Sequence, residues 1–336
     1  MAGAAASRPA QPLIWTATDG RAGNAAQVRS LAAALLDAPP AAEIERPHAV
    51  RGLTLPPRAP WTALPAWAWP APFSALTQEA RAALAPPWPK IWIGAGRRTA
   101  PISAEVKRRA GGETFVIHML DPHMAPGRFD LLVTPEHDRR RGPGVLTTIG
   151  TPAYFSAEAM AEADGAFAAP PGQRAVVLLG GASKTHSFTE AAAAALEGHL
   201  KALAAAGWHF RITASRRTPD AITAQMRALA EEIGGEFWAG PSDGPNPYLA
   251  WLIQADTALV TEDSANMLCE AAYHGLPIHM VRLKGKAAKF TTLHQSLIAG
   301  GHARWFSGAL EVWKAAPLRE AERVAKAIWA RVQAAP

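Results

Sequence analysis

The chain has one cysteine, Cys269, in 336 residues. That excludes an intramolecular disulfide framework and any cysteine-based zinc cluster, and it fits a reducing compartment. No apolar run approaches the roughly 20 residues needed to span a membrane, and the opening MAGAAASRPAQP lacks the apolar centre of a secretory signal. The expectation is a cytoplasmic protein, with a peripheral position on the inner face of the membrane left open. Familiar nucleotide signatures are missing too. LLGGASKTHS (178–187) does not have the spacing of a Walker loop, GAGRRT (94–99) has no third glycine, and TDGRAGN (18–24) does not space its glycines as a dinucleotide fingerprint does. His118, His123 and His137 stand near acids, but neither HExxH nor any comparable local spacing occurs, so no metal is expected. No repeat at a solenoid period is present.

What the chain does have is 49% hydrophobic content, enough at this length for two domains with separate cores. A formal charge of +6 and a pI near 9.7 favour anionic partners. Charge alone does not separate phosphorylated small molecules from acidic membrane surfaces or nucleic acid; the loops described below point to a small phosphorylated ligand, and no nucleic acid is expected. Strands are predicted at 13–17, 91–94, 114–120, 131–134 and 145–149. Val28, Leu31, Ala32 and Leu35 mark a helix at core-facing spacing, and a second helix is predicted at 103–109. The intervening segment 56–89 is dense in proline and tryptophan and cannot be an interior strand, because proline removes ladder donors. It is an excursion whose Trp61, Trp67, Trp69 and Phe73 either pack over the first core or seat on an anionic membrane.

The small-residue stretch ADGAFAAPPGQR (163–174) has the composition of a domain boundary. Alternation then restarts, with strands at 175–179, 210–214 and around Phe237, Leu259 and Met280, and helices at 188–206 and 220–233. The predicted organisation is α/β throughout: a first domain over 1–160, a second over 173–315, and a charged amphipathic helix in 316–336.

Ligands of open α/β sheets bind outside the carboxyl ends of the strands. In the second half, four such loops carry phosphate-compatible chemistry. Gly180 and Gly181 follow a strand directly, with Ser183 and Lys184 beyond them. Ser215, Arg216 and Arg217 end the next strand, and two guanidiniums suit a diphosphate. GPSDGPNPY (240–248) supplies Asn246 and Tyr248, the latter placed to edge a base. VTEDSANMLCEAAYHGLP (260–277) reads as strand, turn and helix. In it Ala265, Leu268, Cys269 and Ala272 form a buried stripe, while Asp263, Asn266, Met267, Glu270 and His274 gather on the other side. Glu270 lies about 9 Å beyond the helix start at Ser264, within reach of a ribose whose phosphate sits on the first-turn amides. An N-capped helix with a solvated polar face is the plainer reading, and the charges of Glu262 and Asp263 favour it. In the first half, Asp19 stands beside a glycine at the mouth of the first strand, while LDPH (120–123) and PEHD (135–138) follow others. Turn chemistry accounts for each of these in isolation.

Taken in order, DGRAGNAAQ, IGAGRRTAP, FDLLVTPEHD, LLGGASK, TASRRTP, GPNPY and VTEDSANMLCEA resemble the mitochondrial-fission ELM-like family of bacterial and plant proteins, regarded as candidate GT-B glycosyltransferases. The resemblance runs from about Leu13 to Phe306. It implies two Rossmann-like domains facing across a cleft, with a nucleotide sugar in the second, an acceptor in the first and no obligatory metal. It further implies Glu270 on the donor ribose and Gly180 and Gly181 near the diphosphate. Related lipid-linked sugar transferases often use a histidine in the first glycine-rich loop. Here that loop offers Asp19, so the general base is Asp19 or, as runners-up, Glu136 and His137. The expected function is transfer of a sugar from a nucleotide-sugar substrate, with no separate cofactor, to an unknown acceptor, lipid-linked or of the cell envelope. A nucleotide-sugar epimerase of the same fold and a non-enzymatic interaction protein with a fission-related role are the alternatives.

Overall fold

The computed structural model describes residues 13–38, 50–183, 185–285 and 287–334. The chain divides into two compact units, Met1–Thr148 with Ala321–Pro336, and Ile149–Glu320. The first unit contains β1 (Ile14–Thr18), α1 (Ala22–Asp37), β2 (Val50–Thr54), α2 (Gln78–Ala82), β3 (Ile91–Ala95), α3 (Ala100–Ala110), β4 (Phe115–Met119), β5 (Leu131–Pro135) and β6 (Val145–Thr148). Its strands form one parallel sheet in the order β2-β1-β3-β4-β5-β6. Every residue of β1, β3 and β5 is buried, as expected of central parallel strands covered by helices on both faces. α1 buries Val28, Leu31, Ala32 and Leu35, the face that its spacing predicts.

The second unit contains α4 (Ala157–Ala166), β7 (Gln173–Leu179), β8 (His186–Ser187), α5 (Glu190–Ala205), β9 (Trp208–Ala214), α6 (Asp220–Glu232), β10 (Glu236–Trp238), α7 (Tyr248–Gln254), β11 (Thr257–Thr261), α8 (Ala265–Tyr273), β12 (Ile278–Val281), β13 (Lys284–Gly285), α9 (Ala288–Ala299) and β14 (Ala303–Trp305). Six strands make a second parallel sheet in the order β10-β9-β7-β11-β12-β14. A short antiparallel pair, β8 with β13, stands apart from it. The last helix, α10 (Glu320–Ala334), buries Ala321, Val324, Ala325, Ile328 and Trp329. Among the described residues, no helix is long and apolar enough to cross a membrane.

The observed division differs from the predicted one at two points. The first unit ends at Thr148, and the loop-like stretch 163–174 lies inside the second. There Gln254 on α7 donates to Asp164 Oδ1 at 2.9 Å and to the Phe167 carbonyl at 2.8 Å, so residues with linker composition are fastened to a helix of their own unit. The terminal helix is not a separate element: Trp329 donates to the Leu35 carbonyl at 3.0 Å and docks α10 on the first unit. Both sheets reverse their strand order once, between β1 and β3 and between β7 and β11. Those reversals are where crevices open outside the carboxyl ends of strands.

Candidate functional site

At the reversal in the second unit, three loops are fastened to one another. The Gly180 amide donates to Thr261 Oγ1 at 2.7 Å and the Gly181 amide to Asp263 Oδ2 at 3.0 Å, while Thr261 Oγ1 donates to Asp263 Oδ1 at 2.8 Å. Arg217 Nη1 lies 2.8 Å from Asp263 Oδ2, pairing a fully buried carboxylate with a half-exposed guanidinium. The Thr218 hydroxyl donates to the Gly180 carbonyl at 2.5 Å. Both glycines are required by close approach: a Cβ at 180 would lie 2.2 Å from Asp263 Oδ1, and one at 181 would lie 1.9 Å from the Arg217 carbonyl. The Gly181 amide is therefore committed to Asp263.

Ser183 Oγ accepts from the amides of Thr185 and His186 at 3.2 and 3.0 Å, and Ser215 Oγ accepts from the Arg217 amide at 3.2 Å. Each closes its own turn, as short hydroxyl side chains do. Arg216 is exposed and has no ion-pair partner among the described residues. Lys184 lies outside the described residues.

The start of α8 is freed by what its neighbouring acids do. Glu262 Oε1 accepts from the Leu283 amide at 2.7 Å, and Asp263 is held in the loop cluster, off the helix face that carries Glu270. Ser264 occupies the N-cap without a capping hydrogen bond from its side chain, and no acid stands in the first turn. The first-turn amides thus have no side-chain cap and no acid of their own turn beside them. Six residues on, half-buried Glu270 accepts from the Tyr248 hydroxyl through Oε2 at 2.5 Å. Its Oε1 has no partner among the described residues. Burial raises the Glu270 carboxyl above the ordinary carboxylate range, against the lowering effect of the Tyr248 hydroxyl, and burial likewise raises the Tyr248 phenol. Asn246 Oδ1 accepts from the Tyr248 amide at 3.0 Å and so sets where α7 begins.

Sequence reasoning missed a cavity of about 400 Å³ beyond β12, lined in part by His186, Glu262, Arg282, Phe290, His294 and Trp305. The Arg282 guanidinium lies 3.7 Å from the centroid of the Trp305 ring. His294 Nε2 bonds the Glu262 carbonyl at 2.9 Å, and burial holds the His294 ring below the usual imidazole range. The available signal was Arg282 directly after a buried strand; nothing local ties it to Glu262 or His294.

At the reversal in the first unit, the Asp19 carboxylate is 3% exposed. Asp19 Oδ1 accepts from Asn24 Nδ2 at 3.1 Å and the Arg21 amide at 3.4 Å, and Oδ2 lies 3.4 Å from Arg21 Nε. Gly96 has a φ of +88°, and a Cβ there would meet Asn24 Nδ2 at 2.3 Å, so Asn24 bridges the loops after β1 and β3. Glu136 and His137 occupy a single 3-10 turn after β5, with His137 Nε2 at 3.7 Å from Asp138 Oδ1. Two strands lie between β1 and β5. At about 4.8 Å per strand step, Asp19 and the Glu136 turn are roughly 14 Å apart across the sheet and do not form a pair. His118 is buried, with burial pushing its ring down to about 3, while His123 is exposed. Among the described residues no group of three His, Cys, Asp or Glu side chains is placed to hold a metal ion.

Two Rossmann-like units, each built on a parallel sheet with one reversal of strand order, define an α/β protein of the GT-B class. The same fold is found in a Listeria monocytogenes protein described as a candidate UDP-N-acetylglucosamine 2-epimerase, at 11% identity and a TM-score of 0.51 over 96% of each chain. It is found again in UDP-GlcNAc 2-epimerase from Methanocaldococcus jannaschii, at 10% identity and a TM-score of 0.50 over 94% of this chain and 99% of that one. The sequence profile of the Mitochondrial fission ELM1 family matches residues 22–332, and the chain belongs to that family. Mitochondrial fission protein ELM1 of Arabidopsis thaliana is 28% identical over 274 residues, which cover 71% of this chain and 63% of the relative. The chain thus spans less than two-thirds of that relative's length.

Proposed function

We propose that this protein is a metal-independent glycosyltransferase whose second unit binds a nucleotide-sugar donor. The observation that carries the reading is the free Oε1 of Glu270, held half-buried by Tyr248 about 9 Å from an uncapped α8 start. A phosphate on the first-turn amides and a ribose diol on Glu270 match those dimensions and that chemistry. Arg216 and the outward nitrogens of Arg217 would neutralise the diphosphate as it departs. In the reaction an acceptor hydroxyl loses its proton and its oxygen bonds the anomeric carbon, while the bond from that carbon to the diphosphate oxygen breaks and the diphosphate takes the electron pair. The proton acceptor is sought among Asp19, Glu136 and His137 of the first unit. Asp19, the first candidate, also fastens the turn before α1, so a role in holding that turn and a role in taking the proton need separate tests. The acceptor is proposed to be lipid-linked or part of the cell envelope.

The fold is shared with epimerases, so donor binding and transfer need separate tests. A thermal-shift screen of nucleoside diphosphates and nucleotide sugars reads the first, because a ligand at 100 times its Kd stabilises by about 2.7 kcal/mol. A screen with no stabilising nucleotide rejects the reading. With a binding donor in hand, conversion to a C2-epimer without acceptor identifies an epimerase, and binding without any turnover identifies a non-enzymatic interaction protein.

A further inference from the structure

The excursion between β2 and β3 carries an apolar surface that the donor reading does not use. Residues 59–72, APWTALPAWAWPAP, contain no charged side chain, and Thr62 is their only polar one. They fold as short 3-10 turns, including Trp61–Ala63 and Ala66–Ala68, and the next turn is Pro72–Ala75. Inward-facing Trp69 and Phe73 are buried. Outward, Trp67 is 69% exposed and Leu64 45% exposed, alongside exposed Ala59, Pro60, Ala63, Pro65, Pro70 and Ala71. The predicted alternatives for the aromatics therefore divide by residue: Trp69 and Phe73 pack, and Trp67 does not.

We propose that this surface docks the protein on an anionic lipid bilayer, with Trp67 and Leu64 seated among the headgroups. The inference does not depend on nucleotide binding. Three features favour lipid over a protein partner or a second copy. The first is backbone satisfaction: an interface poor in water penalises unpaired amides. Four prolines in 59–72 have no amide hydrogen to leave unpaired, and three of the ten remaining amides, those of Ala63, Leu64 and Ala68, donate within the strip to the carbonyls of Pro60, Trp61 and Pro65 at 3.0, 3.1 and 2.9 Å. The second is the rim. Arg58 donates to the Ser74 carbonyl at 3.4 Å and Arg81 to the Phe73 carbonyl at 3.2 Å, and neither meets a carboxylate among the described residues. Arg109 covers the Phe73 ring at 4.3 Å, its charge shared with Glu105. The excursion 56–89 itself contains one acid, Glu79. Cations round an apolar strip complement an anionic leaflet, and each adds to attraction near its surface. The third is the residue type, since an indole has an apolar body and one polar edge and suits the headgroup level.

The test is co-sedimentation of the full chain with phosphatidylcholine vesicles, with and without phosphatidylglycerol. The wild-type chain is expected to partition onto the anionic vesicles and to be released by salt. Trp67→Ala combined with Leu64→Ala should lower partitioning about tenfold or more, with an unchanged melting temperature because both side chains are exposed. Arg58→Gln with Arg81→Gln should weaken binding to anionic vesicles and leave binding to neutral ones unchanged. Circular dichroism confirms that each variant folds. Absence of wild-type partitioning overturns the proposal, as does partitioning indifferent to the Trp67 and Leu64 changes. Salt-insensitive self-association that the same double variant abolishes assigns the strip to a second copy and overturns it equally.

Discussion

The Tyr248 hydroxyl donates to Glu270 Oε2 at 2.5 Å, binding the first residue of α7 to the sixth of α8. Burial raises the folded-state pKa of Glu270. By linkage its contribution to stability is full below the ordinary carboxylate range and is lost as pH rises through the raised value. Burial thus disfavours the charged form, and a ribose diol donating to Oε1 would offset that cost. Glu270→Gln should weaken nucleoside diphosphate binding by about 1–3 kcal/mol in calorimetry, since a charged hydrogen bond is lost, while improving stability at alkaline pH relative to the wild type. Unchanged affinity removes Glu270 from the site. Tyr248→Phe should push the Glu270 carboxyl further up, because the donor that lowers it is gone.

The two neighbouring arginines separate into different roles. Arg217 is paired with the fully buried Asp263, and Arg216 is exposed with no ion pair among the described residues. Arg216→Lys should reduce affinity for nucleoside diphosphates more than for nucleosides, because lysine keeps the charge and loses the fork, with melting unaffected. Arg217→Ala should lower stability by about 1–3 kcal/mol by stripping the cation from a buried carboxylate. Equal losses of diphosphate and nucleoside affinity in the Arg216 variant would count against a diphosphate contact.

Five strands of each sheet were legible because they are short apolar runs bounded by glycine and polar turns, and α1 was legible because Val28, Leu31, Ala32 and Leu35 repeat at helical spacing; the edge strands β2 and β14, short and half-exposed, were not predicted. Much of the α8 stripe was legible for the same reason: Leu268, Cys269 and Ala272 are buried as predicted. What stayed hidden are consequences of tertiary approach. Gly180 and Gly181 read as a phosphate cradle, yet their lack of a Cβ serves contact with Asp263 and the Arg217 carbonyl. The charges at 262 and 263 read as repelling phosphate, because their partners, Leu283, Gly181 and Arg217, come from other loops. Composition also misplaced the boundary. Alanine, glycine and proline at 163–174 mark a linker only when nothing packs on them, and here Gln254 does.

A pH experiment addresses the first unit. His118 is buried beside the Phe129 ring, 4.9 Å between centroids, with Ser103 Oγ at 3.2 Å, and burial pushes its pKa down to about 3. A depressed histidine contributes stability that is present above its unfolded value, near 6.5, and is lost as pH falls toward 3. Chemical denaturation should show the wild type losing on the order of a few kcal/mol across that window. His118→Gln should flatten the slope by removing the titrating group, and an unaltered slope would assign the acid sensitivity to other groups.

The general base is the remaining chemical choice, and the contacts of Asp19 make it separable. Asp19→Asn preserves an oxygen for the Arg21 amide and Asn24, and it loses only the ion pair to Arg21, whose side chain is 66% exposed. Arg21 is exposed and stays solvated, and the amide leaves no buried charge without a partner, so the variant should fold with nearly unchanged melting. Asp19→Ala instead leaves both donors unpaired and should cost about 1–2 kcal/mol. With Asp19 as the base, Asp19→Asn is expected to lower turnover, read as donor consumption in the presence of acceptor, by roughly a hundredfold with donor affinity retained, the pattern of a group acting only on the proton in transit. Glu136→Gln and His137→Gln are then expected to keep turnover within a few-fold. The opposite pattern, a stable and fully active Asp19→Asn protein with a roughly hundredfold loss in Glu136→Gln or His137→Gln, would pass the role to that turn. The roughly 14 Å between the two candidates across the sheet keeps these outcomes distinct, since neither group can substitute for the other on the same hydroxyl.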